Sequence, residues 1–268
     1  MSAVNFFPGT ELAARIEAAE TALISAGAAD VRPLAGGAAC FAGPDSPLTK
    51  VVGLGFGGMP TDADFDEIER EYAHRGAAVQ VELSNLADPR IGAMLTGRGY
   101  RLVSFENVLG TRPATEPGVP GVRVDKAGAD ELQTWIDVVV DGFAHPDTDG
   151  VPSHEELPRD VVAAAVRDMV AAGAVTYLAR CEAIDGDTVA GGASMRLTDG
   201  IAQLTGAATA PVFRRRGVQS ALLSARLSDA HAAGADIAVV TTSPGSRSQQ
   251  NVQRKGFQLL YTRAILVR

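Results

Sequence analysis

The chain has 268 residues, 46% of them hydrophobic, which is enough for one large buried core or two smaller ones. Its formal charge of −8, from 24 basic and 32 acidic residues, argues against a general nucleic-acid binder, which needs a broad basic surface. No apolar run approaches the ~20 residues of a membrane span, and residues 1–20 lack the basic start and apolar core of a signal peptide. A cytoplasmic protein with no membrane or nucleic-acid partner is expected, with Cys40 and Cys181 as buried free thiols of a reducing compartment. No CxxC or Cys/His spacing points to a metal.

In chain order, "LTKVVGLGF" (48–56) reads as a strand, and Gly55, Gly57 and Gly58 as turn residues at its end. The following "GGMPTDADFDEIEREYAHRG" opens a helix on Asp62, Asp64, Asp66 and Glu67. Residues 77–110 then give a β-branched strand, a Pro-containing loop, a short helix, Gly99-Tyr100 and another strand. "GTRPATEPGVPG" (110–121) has no apolar periodicity and reads as a linker.

Past the linker come a strand, a helix start near Asp130 and an amphipathic helix carrying Leu132, Trp135, Ile136 and Val139. A second helix ends at Gly173. Strands at 175–183, 188–197 and 201–210 are separated by "DGD" and "TDG", the turn chemistry of consecutive hairpins. A helix over about 216–233, a strand at 237–242, a short helix and a last strand complete the chain. Residues 235–268 repeat the plan of 77–110 at a constant offset of 157, pairing Gly99-Tyr100 with Gly256-Phe257. A repeat of this length suggests duplication of a whole domain, the alternative being chance similarity of two ordinary helix–Gly–strand units.

The stretch "APVFRRRGVQSALLSARL" (210–227) places Arg214, Arg215, Arg216 and Gly217 at the start of a helix with Leu222, Leu223 and Leu227 on one face. A helix N-terminus has backbone N–H groups without intrahelical partners and a partial positive charge. With three guanidinium groups added, the site suits a pyrophosphate.

In its order of elements and in Arg214-x-x-Gly217-x-Gln219-Ser220, the C-terminal half resembles the GNAT acetyltransferase superfamily. The resemblance implies an α+β fold of two tandem GNAT-like domains, each a mixed, mostly antiparallel sheet flanked by helices. The boundaries expected are 1–112 for a degenerate domain without a cofactor site, 113–120 for a linker and 121–268 for the catalytic domain. The resemblance also implies acetyl-CoA as co-substrate, bound by the backbone of Ala207, Ala208 and Thr209 and by Arg214, Arg215, Arg216, Gly217, Val218, Gln219 and Ser220. Ser248 and Asn251 would add polar contacts. The implied reaction is direct transfer of an acetyl or acyl group to an amine, on a small molecule, protein or peptide.

Two positions depart from the family pattern. Gln219 stands where Gly or Ala is usual, and Val252 occupies the place of the Tyr that protonates the leaving thiolate. Tyr261 is the candidate substitute acid. Glu155 and Glu156, with His145 and His154 nearby, are the candidate bases, in a segment at the position of the family's acceptor loop. The missing Tyr leaves open a non-catalytic acyl-CoA-binding or regulatory protein, and a third reading treats the arginines as a solvated helix end. Acceptor identity stays open, as does the choice between monomer and homodimer. The first half, with carboxylates at the equivalent helix start, would repel a pyrophosphate.

Overall fold

A computed structural model describes residues 9–145, 158–182 and 187–268. The chain divides into two compact units, one running to Leu109 and regaining the chain at Gln258–Arg268, the other spanning Gly110–Phe257. Among the described residues no helix is long and apolar enough to cross a membrane.

The first unit contains α1 (Thr10–Gly27), β1 (Asp30–Leu34), β2 (Gly37–Phe41), β3 (Lys50–Val52), α2 (Asp62–His74), β4 (Gln80–Ser84), α3 (Pro89–Gly97) and β5 (Arg101–Thr111). The second contains β6 (Val122–Lys126), α4 (Leu132–Ala144), α5 (Arg159–Ala171), β7 (Val175–Cys181), β8 (Thr188–Thr198), β9 (Ile201–Thr209), α6 (Val218–Ala232), β10 (Ile237–Thr242) and α7 (Arg247–Arg254). The last strand, β11 (Gln258–Val267), belongs to the first unit.

That placement corrects the expected 121–268 boundary. β11 lies antiparallel to β4, pairing Arg263 with Ser84 through Val267 with Gln80, and the first unit's strands run β1-β2-β3-β4-β11-β5. Two forces hold it there. Leu266 enters the apolar cluster of Phe65, Ile68, Tyr72, Ile91 and Leu95. Arg263, 1% exposed, donates to Glu17 Oε1 at 2.8 Å and faces Glu20, Glu82 and Glu106. Removing this strand would leave those carboxylates buried without their guanidinium, a loss of several kcal/mol by order of magnitude.

The duplicated motif is present in both copies. Gly99 and Gly256 adopt φ of 89° and 84°, ending α3 and α7 in left-handed caps. Tyr100 N–H donates to Leu95 O at 3.0 Å, and Phe257 N–H donates to Val252 O at 3.2 Å. Both aromatic rings are buried. Cys40 and Cys181 are buried free thiols.

The second unit is a sheet ordered β10-β9-β8-β7-β6, with β6 to β9 antiparallel and β9 parallel to β10. A Cβ on Gly191 would meet Val218 of α6, and a Cβ on Gly192 would meet Val139 and Trp135 of α4. Neighbouring strand residues point to opposite faces, so α4 and α6 cover opposite sides of β8. Trp135, Ile136, Val139, Val140, Val166 and Leu178 form the core on the α4 side. On the other side Leu222, Leu223 and Leu227 are buried, each contributing roughly 1.5–3 kcal/mol of apolar burial.

Candidate active site

β9 pairs with β10 only from Ile201–Ile237 to Gln203–Val239. Beyond that point the strands part, and the backbone of Leu204–Thr209 has no β10 partner among the described residues. On its other edge β9 follows β8, but with one residue too many: Ser194 pairs with Thr205 and Gly192 with Ala208. Gly206 and Ala207 therefore stand against Ala193 alone, a β-bulge. Gly206 takes φ of 56°, which a residue with a Cβ rarely adopts.

Both neighbouring helices brace the bulge. From α4, Trp135 Nε1 donates to Ala193 O at 2.9 Å. From α6, Arg226 Nη1 donates to Ser194 O at 3.0 Å and to Thr205 O at 3.3 Å. The Ser194 and Thr205 hydroxyls bond each other at 2.8 Å. Two other hydroxyls near the parting of the strands have no partner among the described residues: Thr209 Oγ1 at the end of β9 and Thr242 Oγ1 at the end of β10. A buried hydroxyl without a partner is uncommon and demands an explanation. Sequence reasoning missed Thr242, since a Thr ending a strand carries no local signal.

β9 leads through a 3-10 turn, Pro211–Phe213, to the arginine loop. Arg215 and Gly217 have φ of 64° and 82°, and Gly217 caps α6 with no side-chain hydrogen bond. Among the described residues no side chain caps the first N–H groups of this helix, which leaves them open to a ligand or water. Gly217 has a second constraint: a Cβ there would come within 2.8 Å of Val119 Cγ1. Its small size thus accommodates the linker as well as the turn.

The three arginines differ in their surroundings. Arg214 donates to the carbonyl of His145 and ties the loop to the end of α4. Arg216 lies over the Phe213 ring, 5.4 Å from its centroid, and is exposed, as is Arg215. Gln219 and Ser220, in the first turn of α6, are half-buried. On α7, Ser248 is exposed, and Asn251 accepts a bond from Arg254 at 2.8 Å.

The proton-transfer candidates fare differently. Tyr261 is corrected: it lies on β11 in the first unit, 3% exposed, and its hydroxyl donates to Glu17 Oε1 at 2.6 Å. Burial and the Glu17 charge hold that phenol far above its ordinary range. Val252 is fully buried in the core under α7. Glu155, Glu156 and His154 lie outside the described residues. His145 is exposed at the end of α4, its Nδ1 within 2.9 Å of Asp141 O.

Among the described residues of the first unit, the equivalent position is closed. Its parallel pair, β3 and β4, meets at Val51 and Val81. Just beyond, Asp88 N–H donates to Gly55 O at 3.3 Å, and a Cβ on Gly55 would lie 2.3 Å from that of Ala87. Backbone thus fills the space that parts in the second unit. The start of α2 is also closed: Thr61 and Asp64 form a capping box, and Arg98 pairs with Asp62, Asp66 and Glu69.

The second unit thus combines an antiparallel run of strands, a bulged fourth strand parting from a parallel fifth, and a helix N-terminus at that parting. A GCN5-related N-acetyltransferase from Kribbella flavida superposes over 96% of this chain and 95% of its own, with TM-score 0.69 and 21% identity. The chain has a tandem GNAT fold. A tandem GNAT protein from the clavulanic acid biosynthesis pathway matches 86% of this chain and 77% of its own, with TM-score 0.59 and 12% identity. A GCN5-related N-acetyltransferase from Sphaerobacter thermophilus matches 76% of this chain and 64% of its own, with TM-score 0.55 and 17% identity. No family model and no curated protein matches the sequence. Within this GNAT fold, the mixed sheet and flanking helices agree with the α+β expectation from sequence.

Proposed function

We propose that the protein is an acetyl-CoA-dependent N-acetyltransferase with one cofactor site, in the second unit. The observation that carries this reading is the parting of β9 from β10 beside a braced bulge, next to the uncapped, arginine-flanked start of α6. The residues present fit the co-substrate. N–H groups of Val218, Gln219 and Ser220 would hold its pyrophosphate, with Arg215 and Arg216 adding charge. Arg214 would fix the loop through His145. The backbone of Ala207, Ala208 and Thr209, with the Thr209 and Thr242 hydroxyls, would line the pantetheine arm. Ser248 and Asn251 would add polar contacts from α7.

Acetyl-CoA supplies a thioester: amine attack forms a C–N bond as the C–S bond breaks, and CoA leaves as a thiolate that takes up a proton to become the free thiol. The protein's part is to align the acyl carbonyl on the bulged backbone and to remove the amine's excess proton, for which Glu155 and Glu156 remain the candidates. The acceptor is a small-molecule, protein or peptide amine. A reducing cytoplasm accords with the two free thiols.

A second reading, an acyl-CoA-binding protein without turnover, draws on the buried Val252 and on Tyr261 being held by Glu17. Thiol release from acetyl-CoA, measured across a panel of amines, separates the two. Acceptor-dependent release establishes the transferase. Tight CoA binding with no release from any amine favours the binding protein.

A further inference from the structure

Arg226 is among the largest fully buried side chains, 1% exposed. Its Nε donates to Leu222 O at 3.0 Å, and its Nη1 donates to Ser194 O and Thr205 O. No carboxylate among the described residues forms an ion pair with it. Burial pushes its pKa down only to about 10, so the group stays charged at neutral pH. A buried guanidinium bonded only to carbonyls is unusual, because burying a charge without an opposite partner is costly and an apolar side chain would pack there more favourably.

Its position points to a purpose. Ser194 and Thr205 form the last regular pair before the bulge, so the guanidinium lies beneath the residue next to Gly206. Trp135 holds the carbonyl opposite the bulge from the other face. With these carbonyls satisfied by side chains, the bulge keeps its shape without strand partners, and the backbone of Gly206 and Ala207 is left for a ligand.

We propose that Arg226 is a positioning residue for acyl transfer: it fixes the bulge and sets an unpaired positive charge beneath it, polarising an acyl carbonyl seated on that backbone. This inference rests on the reading of the cleft as an acyl-CoA site. Preorganised dipoles and charges of this kind act in a water-poor site, where their effect on a developing oxyanion is largest.

The test uses the full chain and acetyl-CoA 13C-labelled at the carbonyl, with calorimetry for affinity and difference infrared spectroscopy for the bound C=O stretch. Wild type is expected to shift the stretch below its value in free acetyl-CoA. R226M is expected to keep CoA affinity within about threefold but to lose at least about half of that downshift. A purely structural role would lower melting temperature and leave the frequency of bound acetyl-CoA unchanged. If R226M does not fold, R226Q carries the test, since it removes the charge and keeps a hydrogen-bond donor: a reduced downshift is expected, and an unchanged one overturns the proposal. Wild type that binds CoA with an unshifted carbonyl overturns this proposal alone. Wild type that binds no CoA overturns the cleft reading and this proposal together.

Discussion

Reversing one charge at the start of α6 tests the one-site account at its electrostatic root. Arg216 is exposed beside the uncapped helix N-terminus, so its charge acts on a nearby pyrophosphate through a solvent-rich medium. A pair of unit charges ~5 Å apart is worth ~0.8 kcal/mol in water and ~3 kcal/mol at an effective dielectric of ~20. R216E forfeits the attraction and adds repulsion of similar size, a loss of at least ~1.5 kcal/mol, or about tenfold in Kd. The control is R70E on α2, where an exposed arginine lies on the helix whose start is already capped. Calorimetry with CoA should show the loss for R216E and less than a twofold change for R70E. Raising ionic strength should weaken wild-type binding more than R216E binding, because surface charges are screened. An R216E protein that binds within twofold of wild type, or an equal loss in R70E, would mean that the start of α6 does not hold the pyrophosphate.

Other consequences follow from the same geometry. T242V removes a buried hydroxyl that has no partner among the described residues, so free protein should melt at the same or a higher temperature while acetyl-CoA affinity falls about two- to tenfold. R263Q leaves Glu17 buried without its cation, while Glu82 keeps Lys50 at 2.5 Å, and chemical denaturation should show about 3–5 kcal/mol of lost stability. Burial and the neighbouring Glu82 charge raise Glu106 from 4.5 to about 7. A carboxyl raised in the folded state contributes stability that is fully present below its unfolded pKa and is lost as pH rises through the folded value. Melting curves should therefore show the advantage of E106Q over wild type growing between about pH 4.5 and about pH 7 and levelling off above it. A constant difference across that window would remove Glu106 as the titrating group.

The second unit was readable because its local chemistry is explicit. Asp-Gly turns set off the hairpin strands, and the observed β7, β8 and β9 end within a residue or two of the expected limits. The repeat was legible through a glycine that needs a left-handed cap and an aromatic that folds back into the core. Strand pairing was not legible, since periodicity says which face of a strand is buried but not which neighbour it joins. A clue was present in the charges: Arg263 in "YTRAILVR" and Glu82 in "VQVELS" interrupt apolar strands and pair through their burial. Arg226 offered a similar sign, standing four residues after Leu222 and so on the buried face of its helix. Nothing in the sequence marked the bulge beyond the single Gly206. The parting of β9 from β10 depends on tertiary pairing and had no local signature at all.

The central claim is that one acyl-CoA site lies where β9 leaves β10, and a crystal structure of the full chain with CoA tests it most directly. One CoA per chain is expected, with its pyrophosphate on the N–H groups of Val218–Ser220 and its pantetheine arm between β9 and β10. CoA seated at the start of α2, or failing to bind at saturating concentration, would contradict it.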